Sequence, residues 1–541
     1  MQEKIRLVDE LFRPWDTNRT PGCALAVVSR GEIIYKAGYG MATLEHPVTI
    51  KPSTAFYIAS TSKQFAAFSI ALLEEEGRLS ASDDIRKYIP EIPDYGSPIR
   101  IEHLIHHISG MRDFLELNAL SGRHYDELIT PEDALRLITR QQQLNFDTGE
   151  RYLYCNSGYF LLSVIIERVS GKTLRQFAEE NIFARLGMHN THFHDDRTEP
   201  VTNRAVGYRF DRSGRFRISV PGLETVGSGG MYSTVEDLSL WDRNFYMNRL
   251  GQGSPALIER IQHCGSLNNG ELLDYAFGLS ISEYKGLKTV GHSGNYGGYS
   301  AEFTRFPDHA FTVICLSNNS TLPARSMAFK VADIFLAEHL QEEPAEEKQQ
   351  FAALELSVDQ VKPYAGFYRD PQGELVIKIS PRDNQLVLDL GQMEFPLIPS
   401  SIACFHLANA PIEGRIEFTP TESGMAAIFE SATSKKQELL HKMASRELSA
   451  AETTNLCGEY YSTELDARAF IYHGDGCLRL KIGRHTAELN AVNTEEFVTE
   501  GDVLSHAILT VQREADALRG ITLNSGRVRN IFFARKSNPE R

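Results

Sequence analysis

The run Gln341-Glu342-Glu343-Pro344-Ala345-Glu346-Glu347-Lys348-Gln349-Gln350 holds no large apolar residue and one proline, and it divides the chain into two dissimilar halves. Just before it, Pro323–Leu340 places Met327, Val331, Ile334 and Phe335 at helical spacing on one face. A polar, proline-bearing stretch directly after such a helix reads as a linker. Beyond it the pattern changes to short β-runs, Leu375–Ile379 and Gln385–Leu390 among them, separated by turn residues. This second half also repeats itself. Leu356-Ser357 precedes Gly366-Phe367-Tyr368 as Leu448-Ser449 precedes Gly458-Glu459-Tyr460, at an offset of 92, and Leu439-Leu440 matches Ile531-Phe532 at the same offset. Two all-β units of about 90 residues follow, most naturally closed barrels, because closure removes exposed strand edges.

The first half mixes both kinds of element. Ala24–Ser29 and Glu32–Lys36 read as strands joined at Arg30-Gly31, and Ser300–Phe306 and Ala310–Leu316 as strands around Pro307-Asp308. Helical periods fall between them at Ser62–Glu76, Pro131–Gln142, Tyr159–Val169 and Leu174–Leu186, and Ser233-Thr234-Val235-Glu236 reads as a capping box. Strands at both ends with helices between predict one antiparallel sheet flanked by helices. The expected division is 1–340, a linker 341–355, one β-unit at 356–443 and a second at 444–541.

Composition excludes several function classes. Of 541 residues, 42% are hydrophobic and 23% charged, as in folded globular proteins. A net charge of −15 with no Lys/Arg block argues against nucleic acid as a partner. The most apolar stretch, Tyr159–Val169, is broken by Ser163, Glu167 and Arg168 and falls short of the roughly 18–20 residues a membrane span needs, so no membrane partner is expected. The start, Met1-Gln2-Glu3-Lys4-Ile5, shows no secretory signal, so a cytoplasmic protein is expected, although an exported chain without its leader would look the same. Seven scattered cysteines form no C-x-x-C pair and read as free thiols of a reducing compartment.

Three short motifs carry chemistry. In Ser60-Thr61-Ser62-Lys63, at a helix start, a hydroxyl and an ammonium share one face at i and i+3, and the cation favours the alkoxide. Ser282-Glu283-Tyr284-Lys285 matches the same pattern but sits in a strand-like run. In Tyr154-Cys155-Asn156, extended backbone points Tyr154 and Asn156 to one side and Cys155 to the core. A phenol beside a lysine can carry a proton, and a carboxamide can hold a substrate amide. In Gly291-His292-Ser293-Gly294-Asn295 the glycines admit close approach of another backbone, and the Asn295 N–H could join that of Ser60 as an oxyanion hole. His189, His192 and His194 with Asp195 and Asp196 have metal-binding side chains but read as a surface loop, so no metal is expected. His106-His107 before Ser109-Gly110 reads as fold support by hydrogen bonding.

Taken in order, Ser60/Lys63, Tyr154/Asn156 and His292/Gly294 resemble the S-x-x-K, Y-x-N and K/H-x-G signature of the penicillin-binding-protein and class C β-lactamase superfamily of serine hydrolases. His103–Met111 and Gly229–Thr234 resemble its supporting motifs, and the resemblance spans roughly Pro21–Leu340. It implies an α/β (α+β) β-lactamase/DD-peptidase-like domain without a cofactor. Ser60 would attack a carbonyl, Lys63 and Tyr154 would manage its proton, and the Ser60 and Asn295 N–H groups would hold the oxyanion. Asn156 and His292 would position substrate and assist the leaving group; whether Lys63 or Tyr154 is the base stays open. Histidine at 292, where β-lactamases typically have lysine, and two trailing lipocalin-like barrels resemble the three-domain bacterial D-aminopeptidases. In those enzymes a loop of the last barrel gates the site; here Gly501–His506 is too short to do so.

The resemblance implies hydrolysis of D-amino-acid-containing peptides or amides from either end. The alternatives are an esterase or weak β-lactamase of the same fold, and a non-catalytic binder of penicillin-like or peptidoglycan-like ligands. A small peptide or amide is the expected partner, with a homodimer left open.

Overall fold

The structure is a computed structural model that describes residues 1–124, 126–211, 213–341, 354, 356–373, 375–382, 385–391, 393–408, 414–422, 424–431, 437–501 and 503–536. The expected linker at 341–355 falls almost wholly outside these residues. The chain divides into two compact units, and the division is not sequential. Arg112–Tyr125 and Arg140–Asn145 group with the C-terminal β-units rather than with the first half around them.

In the first unit, Cys23–Ser29 (β1) and Glu32–Tyr39 (β2) form the expected hairpin, turning through Arg30 and Gly31 with φ of 53° and 76°. Ser280–Tyr284 (β3), Leu287–Tyr296 (β4), Tyr299–Phe306 (β5) and Phe311–Ser317 (β6) complete a six-stranded antiparallel sheet in the order β3-β4-β5-β6-β1-β2. Because β6 lies beside β1, the two ends of this unit close the sheet. Strands β5 and β6 are buried at every residue, as central strands covered on both faces must be, whereas the edge strand β2 alternates.

Helices Gln2–Phe12 (α1) and Ala324–Phe335 (α5) cover one face; Val8, Phe12, Met327 and Val331 pack with Leu25, Val27 and Val313. The rest of the unit is built on Lys63–Glu75 (α2), Asn156–Ser170 (α3) and Val235–Asn244 (α4). Trp241 of α4 rests on Phe65 and Phe68 of α2, with ring centroids at 4.7 and 5.1 Å, and its indole N–H donates to Gln64 at 2.6 Å. Asp242 of α4 takes the buried Arg305 guanidinium of β5 at 2.8 Å and the Thr312 hydroxyl of β6 at 2.7 Å. A buried carboxylate with both partners in place fixes the helix on the sheet.

The elements differ from expectation at their ends. The cap of α4 is Thr234, whose hydroxyl accepts from the Asp237 N–H at 3.0 Å, because Ser233 is held in a strand with Phe56. The period read as one helix over Leu174–Leu186 is broken by a π-turn at Glu179–Phe183. The His192–Asp196 segment is not a surface loop throughout: His192 and Phe193 pair with Tyr232 and Met231, and His194 is buried. Among the described residues no three metal-ligating side chains converge, and no helix is long and apolar enough to cross a membrane.

The second unit contains two closed eight-stranded antiparallel barrels, Gly366–Arg369 to Gln437–Lys442 and Gly458–Ser462 to Val528–Arg535. The repeat is visible in atomic detail. Ser357 and Ser449 each cap a short helix with a reciprocal partner, Gln360 and Glu452. Tyr368 and Tyr460, both wholly buried, each donate a hydroxyl to the carbonyl four residues earlier, on Tyr364 at 2.9 Å and Leu456 at 2.6 Å. The closing strands correct the expected offset. Tyr368 pairs with Lys442 and Tyr460 with Arg535, an offset of 93, so Leu440 corresponds to buried Phe533 and not to half-exposed Phe532. One extra residue flips every side chain across a strand, and the second barrel carries register shifts at Gln512/Arg513 and Leu523/Ser525.

The N-terminal excursions are tied into this unit by charge. Arg112, buried, meets Glu464 at 2.6 Å and donates to the Gln141 side-chain Oε1 at 2.8 Å. Arg527 meets Glu116 at 2.8 Å, and Leu117 and Leu120 join the core of the second barrel. The Gly501–His506 turn is drawn back on its own strand, the His506 N–H donating to the Thr499 carbonyl at 2.8 Å; Asp502 lies outside the described residues.

Candidate active site

Ser60 follows the short strand Phe56–Tyr57 through Ala59, which adopts a left-handed φ of 47°. That conformation costs an L-residue about 1–2 kcal/mol and turns the chain sharply. Ala59–Ser62 is then a 3-10 turn that runs into α2 at Lys63. The expected helix start at Ser62 is thus tighter than an α-turn, and residues i and i+3 eclipse in a 3-10 turn. The result is a Lys63 Nζ to Ser60 Oγ distance of 3.1 Å.

Lys63 is fully buried, and its ammonium end is surrounded by acceptors. It donates to Asn156 Oδ1 at 2.9 Å and to the Ser228 carbonyl at 2.6 Å, and it lies 4.7 Å from the centre of the Tyr154 ring. Both oxygens can only accept, so two N–H bonds are committed to them, and Ser60 faces the third position. With a proton there Lys63 is an ammonium stabilising the alkoxide; without it Lys63 is an amine able to take the serine proton.

The Tyr154 and Asn156 side chains meet the same lysine although Asn156 already opens α3. Cys155, just before the helix, is extended, with φ −137° and ψ 115°, and that one residue suffices for the alternation. Cys155 points inward as expected, its thiol donating to the Met111 carbonyl at 3.3 Å. Its N–H donates to His107 Nδ1 at 3.1 Å, and the His107 ring lies 4.3 Å from Tyr154, 5.0 Å from Tyr159 and 4.7 Å from Tyr275. His106 Nδ1 donates to the Tyr275 carbonyl at 3.1 Å. Both histidines therefore support the fold by hydrogen bonding. Burial pushes His106 down to about 4.

Strand β4 forms the opposite side. The Thr61 hydroxyl donates to the His292 carbonyl at 3.2 Å. A Cβ at Gly294 would lie 2.1 Å from the Ile58 carbonyl oxygen and 3.0 Å from the Ser60 nitrogen, so glycine there lets the strand meet the nucleophile turn backbone to backbone. Asn295, exposed, follows directly. His292 is buried, with Nε2 2.9 Å from the Tyr275 hydroxyl and Nδ1 2.5 Å from the Ser293 carbonyl oxygen. Burial first, then the Lys63 charge, holds its pKa down to about 3. The Tyr154 and His292 rings are 6.2 Å apart.

The structure thus brings Ser60, Lys63, Tyr154, Asn156, His292 and Gly294 together. Sequence reasoning missed Ser228 and Tyr275. Ser228 acts through its carbonyl, which no side-chain pattern marks, although it immediately precedes the noted Gly229-Gly230 pair. Tyr275 lies 17 residues before His292 in a stretch without periodicity. The second S-x-x-K match is no site: Ser282 bonds Thr289 at 2.7 Å and Lys285 pairs with Asp333 at 2.9 Å.

An antiparallel sheet flanked by helices, with a serine, a buried lysine and a Y-x-N carboxamide at one place, defines a serine hydrolase of the β-lactamase type. The Beta-lactamase family model matches residues 8–335, and the chain belongs to that family. It is 30% identical over 441 residues to a penicillin-binding protein of Bacillus subtilis (strain 168), covering 77% of this chain and 94% of that one. It is 27% identical over 317 residues to the D-aminopeptidase of Brucella anthropi, a match spanning 59% of that enzyme's length. The octameric penicillin-binding protein homologue from Pyrococcus abyssi shares the fold, with a TM-score of 0.57 at 24% identity over 81% of this chain and 99% of that one.

Proposed function

We propose that this protein hydrolyses D-amino-acid-containing peptides or amides through an acyl-enzyme on Ser60, as an aminopeptidase or a carboxypeptidase. The observation that carries this reading is the Ser60 hydroxyl 3.1 Å from a buried lysine that also holds Asn156. Ser60 Oγ attacks the substrate carbonyl as its proton passes to Lys63 or Tyr154. The N–H groups of Ser60 and Asn295 receive the oxyanion; one such donor is typically worth about 10²–10³ in rate. The proton then goes to the departing amine, and water, activated by the same groups, releases the acyl group and restores Ser60. Asn156, held by Lys63, presents its amide N–H to the substrate. Relatives named as D-aminopeptidases support the D-amino-acid class.

The test is a substrate panel with a Ser60→Ala control: D- and L-aminoacyl anilides, D-Ala-D-Ala peptides, a chromogenic cephalosporin and short p-nitrophenyl esters. Turnover of D-configured amides, lost with Ser60→Ala, is expected. Turnover of esters alone would replace the peptidase reading with an esterase, and ligand binding without turnover would make the protein a binder.

A further inference from the structure

The hydrogen bonds around His292 determine where its proton sits. A carbonyl oxygen can only accept, so the contact of Nδ1 with the Ser293 carbonyl places the hydrogen on Nδ1. Nε2 of the neutral ring is then an acceptor, and the Tyr275 hydroxyl 2.9 Å away is its donor. Tyr275 is 4% and His292 7% exposed, so water does not readily compete for either group.

We propose that Tyr275 is a positioning residue that locks His292 in the Nδ1–H tautomer with no free basic nitrogen, so that His292 shapes the cleft but carries no proton during turnover. The proposal rests on the acyl-transfer reading above and narrows it: the serine proton and the proton of the leaving group travel between Lys63 and Tyr154 alone. His292 was expected from the motif to assist the leaving group; its only acceptor atom is already engaged.

The surroundings act in the same direction. Lys63 of α2 and Arg325 of α5, the charged groups that bear on the ring, are both cationic and oppose a second proton. Tyr154 and Tyr275 are the facing phenols, and burial raises the Tyr275 pKa far above the ordinary phenol value, keeping its donor hydrogen in place. Glu302, on β5 opposite Ser293, is a buried carboxyl that accepts the Thr304 hydroxyl and is itself shifted by burial toward its neutral form. Tyr275 is fixed from behind, since its carbonyl takes the His106 Nδ1–H at 3.1 Å and the Gly265 N–H at 3.2 Å.

The decisive measurement is imidazole ¹⁵N NMR on histidine-labelled full-length protein, with His292→Gln to assign the resonance. One ring, missing in that variant, should show a protonated Nδ1 and bare Nε2, unchanged between about pH 8 and pH 5 where a free histidine titrates. In Tyr275→Phe the ring should stay neutral over that range, because burial and the Lys63 charge remain, but its Nε2 resonance should move as the hydrogen bond to the hydroxyl is lost. kcat should fall as the ring loses its fixed orientation, with KM nearly unchanged. An Nε2–H tautomer or a charged ring at pH 6 in the unmodified protein would overturn the proposal, as would a Tyr275→Phe variant with a wild-type Nε2 resonance and wild-type kcat. The wild-type spectrum decides even if Tyr275→Phe does not fold. It needs no substrate, so a failure of this inference is distinguishable from a failure of the hydrolase reading.

Discussion

Two segments of this chain spell the same pattern, Ser60-Thr61-Ser62-Lys63 and Ser282-Glu283-Tyr284-Lys285, and fold into opposite situations. The first enters a 3-10 turn behind a left-handed alanine, which stacks hydroxyl on ammonium at 3.1 Å inside the molecule. The second has its serine on the edge strand β3 and its lysine in the turn just after that strand ends at Tyr284. Lys285 leaves that strand with φ 48° and turns to Asp333, and Ser282 turns to Thr289. The chemistry lies in the eclipsed turn and its burial rather than in the spelling.

The sharpest way to break this contrast is to remove each serine. Ser60→Ala should lower kcat/KM by at least about 10⁴-fold and abolish the acyl adduct seen by intact-protein mass spectrometry, while Ser282→Ala leaves both unchanged. An adduct surviving Ser60→Ala would show that the nucleophile lies elsewhere. Lys63→Met should follow at about 10²–10⁴-fold in kcat, with about 1–3 kcal/mol of lost stability, because the Asn156 and Ser228 oxygens lose a buried donor.

Acid separates the two surroundings next. His292, held near 3, and His106, held near 4, are neutral when folded but take up protons near 6.5 when unfolded. The folded state binds fewer protons, so their contribution is complete above about pH 6.5 and is lost as pH falls toward 3, a change on the order of a few kcal/mol. His292→Gln should therefore move the acid-unfolding midpoint, followed by circular dichroism, to lower pH. An unmoved midpoint would mean that the folded ring is protonated without cost. The smallest effect is expected for Lys285→Met, which removes a partly exposed ion pair worth about 1 kcal/mol or less in thermal unfolding.

Much of this was readable in the sequence because it rests on local periodicity. The sheet hairpin, the barrel repeat and the three motifs each show as spacing, and Tyr154 and Asn156 converge because one extended residue between them is enough. What stayed hidden depends on contacts between distant residues. Ser228 contributes a backbone oxygen to Lys63, Tyr275 acts through a hydroxyl to His292, and the 93-residue offset arises from irregular pairing late in the second barrel. Nor does any local pattern announce that Arg112–Tyr125 belongs with strands more than 300 positions away; a buried Arg112–Glu464 pair and two leucines record it.

That interleaving has a practical corollary for anyone cutting the gene between residues 341 and 355. Such a truncation would discard the surface on which Leu117 and Leu120 are hidden and would take the Glu464 carboxylate away from the Arg112 guanidinium. A stand-alone hydrolase fragment would therefore need those two leucines redesigned as polar exterior to stay monodisperse.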